Sequence, residues 1–188
     1  QALALGDRCR FNRQHAKQVA RLAVSLFDQL QGLHQLGRSE RAILKGAAFL
    51  HEIGQLISFS EHHKHSAYII RNADLPGLSE REKLMTACVA RYHRKAHPKP
   101  RHEGYCELDP DGRQVVRKLA AILRIADALD REQQSLVSQV NIQQKPPHVD
   151  IYVTTNFQAS IEIWNAQRKA ELFEEVFALK PRFLLANV

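Results

Sequence analysis

Six side chains able to ligate a metal follow one another along the chain: His15, the adjacent pair His51 and Glu52, then His65, His93, and Asp127 within the string RIADALD. Imidazole and carboxylate donors suit a divalent cation such as manganese, iron, nickel, zinc, cobalt or magnesium, and a site that keeps open positions can activate water or grip a phosphate oxygen. Taken one at a time, each histidine is more simply explained by a hydrogen bond to a backbone carbonyl or a neighbour, so the case rests on convergence. His34, His97, His102 and His148 lie in loop-like or polar surroundings and read as bystanders. His62 and His63, within EHHKHS, fit either description.

Helical periodicity supplies the convergence. From Phe11 to Leu30, His15, Val19, Leu22 and Leu26 recur at intervals of four, three and four, so His15 shares the apolar face of an amphipathic helix. Val116, Ala120, Leu123 and Asp127 repeat the same intervals, which aims the Asp127 carboxylate inward with its apolar companions. A buried carboxylate is costly unless it is paired, hydrogen-bonded or bound to a cation. His51 follows Leu44 and Ala48 by seven and three, and His93 follows Val89 by four, so the same argument turns both inward.

Helical periods fill residues 11 to 133, punctuated by Gly37-Arg38-Ser39, by the break from Asp74 to Leu78 and by the polar stretch from His97 to Gly112. Ser79 followed by Glu82 forms a capping box at the start of the helix leading to His93. Beyond Ser135 the period changes to two: Val140 and Ile142, then Val149, Ile151 and Val153, then Ile161 and Ile163 alternate with polar residues. Ala166 to Leu179 reads as a helix with Ala170, Phe173, Val176 and Phe177 inward, and Phe183 to Val188 as a last strand. The expected architecture is therefore mainly α: a helical domain over residues 1–134, followed by a small β-β-β-α-β domain over residues 135–188.

Lys and Arg number 27 against 20 Asp and Glu, a net charge of +7 that attracts polyanions. Lys64, Arg91, Arg94 and Lys95 stand beside the candidate histidines, and Arg124 and Arg131 bracket Asp127. They read either as phosphate contacts, Arg for bidentate grip and Lys as a point charge, or as a solvated basic face. The absence of zinc-finger cysteine spacing and an aromatic content of 7% argue against nucleic acid and leave polyphosphate or a phosphorylated nucleotide as the better partner. Cys9, Cys88 and Cys106 are widely separated with no CxxC, which fits a reducing cytoplasm rather than a disulfide framework. No apolar run approaches a membrane span, and the start QALALGDRCR lacks the core of a secretory signal. The chain begins with Gln1 rather than methionine, which suggests a processed or trimmed chain, or a domain of something longer.

The order of His15, His51-Glu52 and Asp127 resembles the HD superfamily of metal-dependent phosphohydrolases, and His65 and His93 resemble the extra histidines of its two-metal members. More specific are the stretches HEIGQLISFSEHHKHSAYIIRNADLPGLS and VARYHRK, which are similar to the HD-type domain of the exopolyphosphatase/guanosine pentaphosphate phosphatase family. The segment that follows resembles that family's small C-terminal domain in its order of elements. The resemblance implies an HD-type helical bundle that hydrolyses phosphoanhydride or phosphoester substrates such as polyphosphate or guanosine polyphosphates, with His51, Glu52 and Asp127 at the reacting centre. It further implies that His15, His51, Glu52 and Asp127 hold one metal, while His65 and His93 help to hold a second or contact the substrate phosphate. Two departures qualify the likeness. The doublet is His-Glu rather than His-Asp, and no GxGxxG or GxxxxGK[ST] string marks the ATPase-type catalytic region of full-length family members. These departures favour the alternative: a catalytically silent module that binds polyphosphate or guanosine polyphosphate, or forms a homodimer interface for a catalytic region carried elsewhere.

Overall fold

The computed structural model describes residues 2–155 and 158–186. Helix α2 (Arg13–Gln29) opens at Asn12, whose side chain accepts the His15 N–H at 3.1 Å, and it buries Val19, Leu22, Ala23 and Leu26 on one stripe. A short α3 (Gln31–His34) leads to α4 (Arg38–Leu50), where the Glu40 carboxylate reaches back to the Gly37 N–H at 2.8 Å. Then come α5 (His62–Asn72) and α6 (Glu80–Arg91). The Ser79–Glu82 capping box read from the sequence is present at the start of α6. Helix α7 (Pro110–Ala128) starts with proline in its first turn and Asp109 accepting the Gly112 N–H at 2.6 Å. An N-terminal helix, α1 (Ala2–Arg8), packs on α4. Its seven residues are too few to show a helical period in the sequence.

Helix α7 is the spine. Every residue from Leu119 to Ala128 is buried, the pattern of a helix enclosed on all sides. It contacts α2, α4 and α6, and also α8 (Ser160–Lys169) and α9 (Glu171–Phe177). Leu119, Ile122, Leu123 and Ile125 are each worth about 1.5–3 kcal/mol of apolar burial, so Asp127 rides on the best-anchored element of the molecule.

The C-terminal part is a three-stranded sheet in the order β1 (Val137–Lys145), β2 (His148–Thr155), β3 (Lys180–Leu185). β1 pairs antiparallel with β2, bringing Val140 opposite Val153, and β2 pairs parallel with β3, bringing Ile151 opposite Phe183. Between β2 and β3 the chain crosses through α8 and α9. The strand expected at Ile161 and Ile163 is therefore corrected to helix. Two alternating positions cannot fix a period, whereas Ile163, Ala166 and Ala170 recur at three and four and face the core, leaving Ile161 and Trp164 exposed. The helix read as continuous from Ala166 to Leu179 breaks at Ala170. The last strand runs over Lys180–Leu185 rather than from Phe183, and the expected Asn187 and Val188 lie outside the described residues. One hydrophobic cluster runs from Val19 and Leu44 through α7 to Ile151, Phe173 and Phe183, so helices and sheet share a core.

Cys88 sits in that core, where burial pushes its thiol up to about 12; Cys9 is also buried and Cys106 is exposed, all three free. No helix among the described residues is long and apolar enough to cross a membrane.

A tight lock holds α4 against α5. After α4 the chain makes a 3-10 turn at Ile53–Leu56. The Ser66 hydroxyl accepts the Gly54 N–H at 2.9 Å and donates to the His51 carbonyl at 2.8 Å. A Cβ on Gly54 would meet the His62 carbonyl at 2.2 Å and the Ser66 nitrogen at 2.4 Å, both backbone atoms that have nowhere to move. Gly54→Ala is therefore expected to destabilise the fold by at least about 2 kcal/mol, read as a fall in the urea midpoint. An unchanged midpoint would mean that the turn and α5 are not held this closely.

Candidate metal centre

Four helices carry side chains to one interior point. His15 lies in the first turn of α2, His51 and Glu52 follow directly on α4, Asp127 lies in the last turn of α7, and His93 stands just beyond α6. His15 Nε2 is 3.6 Å from Asp127 Oδ1 and 3.8 Å from Glu52 Oε2, while His51 Nε2 is 3.4 Å from the same Asp127 Oδ1. Ligand atoms of His15, His51 and Glu52 fall within 4.8 Å of one another.

The outer nitrogens decide what the inner ones do. His51 Nδ1 donates to the Ala48 carbonyl at 2.8 Å, His93 Nδ1 to the Ala90 carbonyl at 2.7 Å, and His15 Nδ1 to Asp130 Oδ2 at 2.8 Å. Because these partners accept, the ring protons sit on Nδ1 and the Nε2 lone pairs turn inward, the orientation that metal-binding histidines take from such supports. Asp130, fully buried, is itself fixed by the Ser135 N–H at 2.7 Å. Within the cluster, His15 Nε2 and His51 Nε2 are buried with no hydrogen-bond partner. Two lone pairs facing a carboxylate oxygen need a proton or a cation among them, so this donor set fits a divalent metal.

The titration behaviour has the same cause. Burial alone would lower the His15 pKa, but the Asp127 and Asp130 carboxylates beside it, with the charge of Glu52, outweigh burial and raise it to about 9. Burial would likewise raise Asp127, but the Lys169 ammonium and the two imidazoles hold it well below the usual carboxylate range. Burial and the neighbouring His51 keep His93 neutral.

Of the expected ligands, His15, His51, Glu52, His93 and Asp127 come together. His65 does not: it is half-buried beside Gly54, and His62, one turn earlier on α5, takes the place beside His93. The rings of His62 and His93 stack with centroids 5.3 Å apart, and their Nε2 atoms are 3.3 Å apart. His62 Nδ1 donates to the Phe59 carbonyl at 3.1 Å, so its Nε2 faces that of His93 as a second lone pair, and the Arg94 guanidinium lies 3.3 Å from His62 Nδ1. The signal was in the sequence. His62, Ser66 and Ile70 fall at intervals of four and are all buried, the same stripe argument that places His15.

Two further residues belong to the cluster. Asp130 follows Asp127 by three, one turn on along the same face. Lys169, at the end of α8, puts Nζ 2.5 Å from Asp127 Oδ2, and no local pattern links it to a site forty residues away. Above the cluster opens a cavity of about 320 Å³ lined by Glu52, His62, His93 and Asp127 on one part and by Arg94, Lys95, Arg131, Arg168 and Lys169 on another. Among the expected phosphate contacts, Arg94, Lys95 and Arg131 line this cavity. Lys64 and Arg91 line a neighbouring hollow instead. Arg124 is buried and donates to the Tyr92 carbonyl at 3.0 Å and the Lys95 carbonyl at 3.2 Å, a structural post rather than a phosphate contact.

The bystander histidines stay away from the cluster, though His34 is not loop-like. It is fully buried, donates from Nε2 to the Phe27 carbonyl at 2.7 Å and accepts the Leu36 N–H at 2.9 Å. His97 pairs with Glu175, and His102 lies beside Tyr92.

Curated relatives include proteins named guanosine-5'-triphosphate,3'-diphosphate pyrophosphatase. That of Aeromonas hydrophila subsp. hydrophila is 38% identical over 125 residues, covering 65% of this chain and 24% of the relative. That of Pseudoalteromonas translucida is 32% identical over 121 residues, 64% of this chain and 24% of the relative. The chain thus spans about a quarter of the length of the curated relatives it matches. Residues 2–173 match the family described as Ppx/GppA phosphatase, domain III, and the chain belongs to that family.

Proposed function

We propose that this chain is an HD-type, metal-dependent phosphohydrolase domain acting on phosphoanhydride or phosphoester bonds, with polyphosphate or guanosine polyphosphates as the substrate class. The observation that carries the reading is the pair of orphaned, inward-facing Nε2 atoms of His15 and His51 beside ionised Asp127, which itself lines a cavity walled by cations. His15, His51, Asp127 and Glu52 would hold a divalent cation. When bound, it would supply an acidified water and polarise a phosphoryl oxygen.

The protein's own groups do the rest. Arg94, Arg131 and Arg168 offer guanidinium forks suited to phosphate oxygens, and Lys95 adds a point charge. Asp130 keeps His15 in the tautomer that ligates, and Lys169 keeps Asp127 ionised. His62 Nε2, without a proton at the cavity wall because Nδ1 donates to the Phe59 carbonyl, is placed to accept a proton from an attacking water.

The second reading is a silent module that holds a phosphate chain by charge, with its catalytic region elsewhere. One observation favours it: Lys169 on Asp127 and a proton on His15 already offset two of the three carboxylates gathered at the cluster. Elemental analysis separates the two, using protein purified without chelator or affinity-tag metal and followed by phosphate-release assays on polyphosphate and a guanosine polyphosphate. The hydrolase reading expects about one or two equivalents of manganese, iron, nickel, zinc or cobalt, with release that a chelator stops. Failure to take up metal even on reconstitution, with polyphosphate still bound, would leave the silent module.

A further inference from the structure

A second hollow, of about 360 Å³, shares Lys95 with the cavity above the cluster. The division between them runs through adjacent residues. On α5, His62 lines the first cavity and His63 the second; at the end of α6, Arg91 lines the second, and just beyond it Arg94 lines the first and Lys95 both.

The hollow has the chemistry of an anion site. Lys64, Arg91 and Lys95 supply positive charge, and the one carboxylate that lines it, Glu61, is already paired with Lys64. His63 is 5% exposed and its Nδ1 has no hydrogen-bond partner. His102 Nδ1 accepts the Lys99 N–H at 3.3 Å, which leaves its ring proton on Nε2 as a donor. The start of α5 has no side-chain cap, so its first N–H groups add to the positive field.

Lys95 is held in place for the bridging position. Its backbone has φ of 60°, a left-handed conformation that an L side chain adopts only at a cost. Two hydrogen bonds from the buried Arg124 guanidinium to its carbonyl, at 3.2 and 3.3 Å, keep it there. Strain secured from beneath, at a residue shared by two cationic cavities, is what a fixed bridge between them requires.

We propose that the hollow formed by His63, Lys64, Arg91, Lys95 and His102 is a second anion subsite, joined to the first through Lys95, so that the site takes an extended chain of phosphates rather than one phosphate group. The inference rests on the phosphate-directed reading of the first cavity and deepens it. One subsite addresses the bond to be broken, and the other holds phosphates further along the chain.

Calorimetric titration of the 188-residue chain and of its Lys64→Ala/Arg91→Ala variant tests it. The probes are pyrophosphate, linear polyphosphate of several tens of units, and a guanosine polyphosphate; metal content is measured on the same samples. The variant is expected to bind the long chain, or the guanosine polyphosphate, about tenfold more weakly, with pyrophosphate affinity and metal content unchanged. Which of the two weakens identifies the source of the phosphate chain. Equal weakening toward pyrophosphate, or no weakening toward either longer ligand, would overturn the second subsite. The readouts keep the two proposals apart. Protein that takes up metal but binds long chains no better than pyrophosphate loses only the subsite. Protein without metal whose long-chain affinity still falls in the variant loses only the hydrolase reading.

Discussion

Asparagine at position 127 is expected to strip divalent metal from the protein while leaving the fold standing. Asp127→Asn keeps the volume of the side chain and its place on α7, whose packing rests on Leu119, Ile122, Leu123 and Ile125. It removes the negative charge that faces His15 Nε2 at 3.6 Å and His51 Nε2 at 3.4 Å. Loss of outer-shell partners alone costs metal sites roughly 10–100-fold, so loss of a ligating carboxylate should weaken affinity by at least about a hundredfold. His51→Ala should do the same, because its Nε2 has no other partner. His148→Ala, on the first residue of β2, should retain metal in full. Competition with a metallochromic chelator gives the affinities, and a thermal melt shows whether each variant is folded. Equal metal content in all three folded variants would sink the ligand assignment.

How far the sequence discloses this arrangement depends on which interactions are local. Helical period is local, so His15, His51 and Asp127 could be turned inward from their neighbours alone, and the central helices follow from their stripes and caps. The same rule, applied to α5, selects His62 through Ser66 and Ile70; three histidines within one turn obscured that choice and pointed to His65 instead. Period two over two positions is too short to outweigh a helical face, which is why Ile161 and Ile163 proved helical. Contacts that span the chain leave no local mark. Lys169 reaches Asp127 only because α8 packs on α7, and Lys64 and Arg91 line the hollow beside His63 rather than the cavity above the cluster. Arg124 resembled a phosphate contact in sequence because it brackets Asp127, yet its guanidinium is buried and spent on the Tyr92 and Lys95 carbonyls, contacts distant in sequence that no local pattern announces.

Lys169→Met is expected to bind divalent metal more tightly and phosphate more weakly. The Lys169 ammonium lies 2.5 Å from Asp127 Oδ2, while Oδ1 of the same carboxylate faces His15 and His51. A cation held by those imidazoles would stand close to the ammonium. At about 5 Å and an effective dielectric near 20, each pair of unit charges repels by about 3 kcal/mol. Part of that gain is lost when Asp127 gives up a partner, so a rise in metal affinity of about tenfold is the expected net effect. The same change removes one of the cations lining the cavity, so phosphate affinity should fall by about tenfold. The opposite signs carry the argument. A variant that merely loosens the fold lowers both affinities together. If instead Lys169 serves only as the structural partner of a buried carboxylate, metal affinity does not rise and the melting temperature falls, since breaking a buried pair by removing one member costs about 3–5 kcal/mol. Tighter metal with weaker phosphate belongs to a site in which an ammonium and a divalent cation contend for one carboxylate, with Lys169 balancing Asp127 until the metal arrives and holding the substrate's charge once it has.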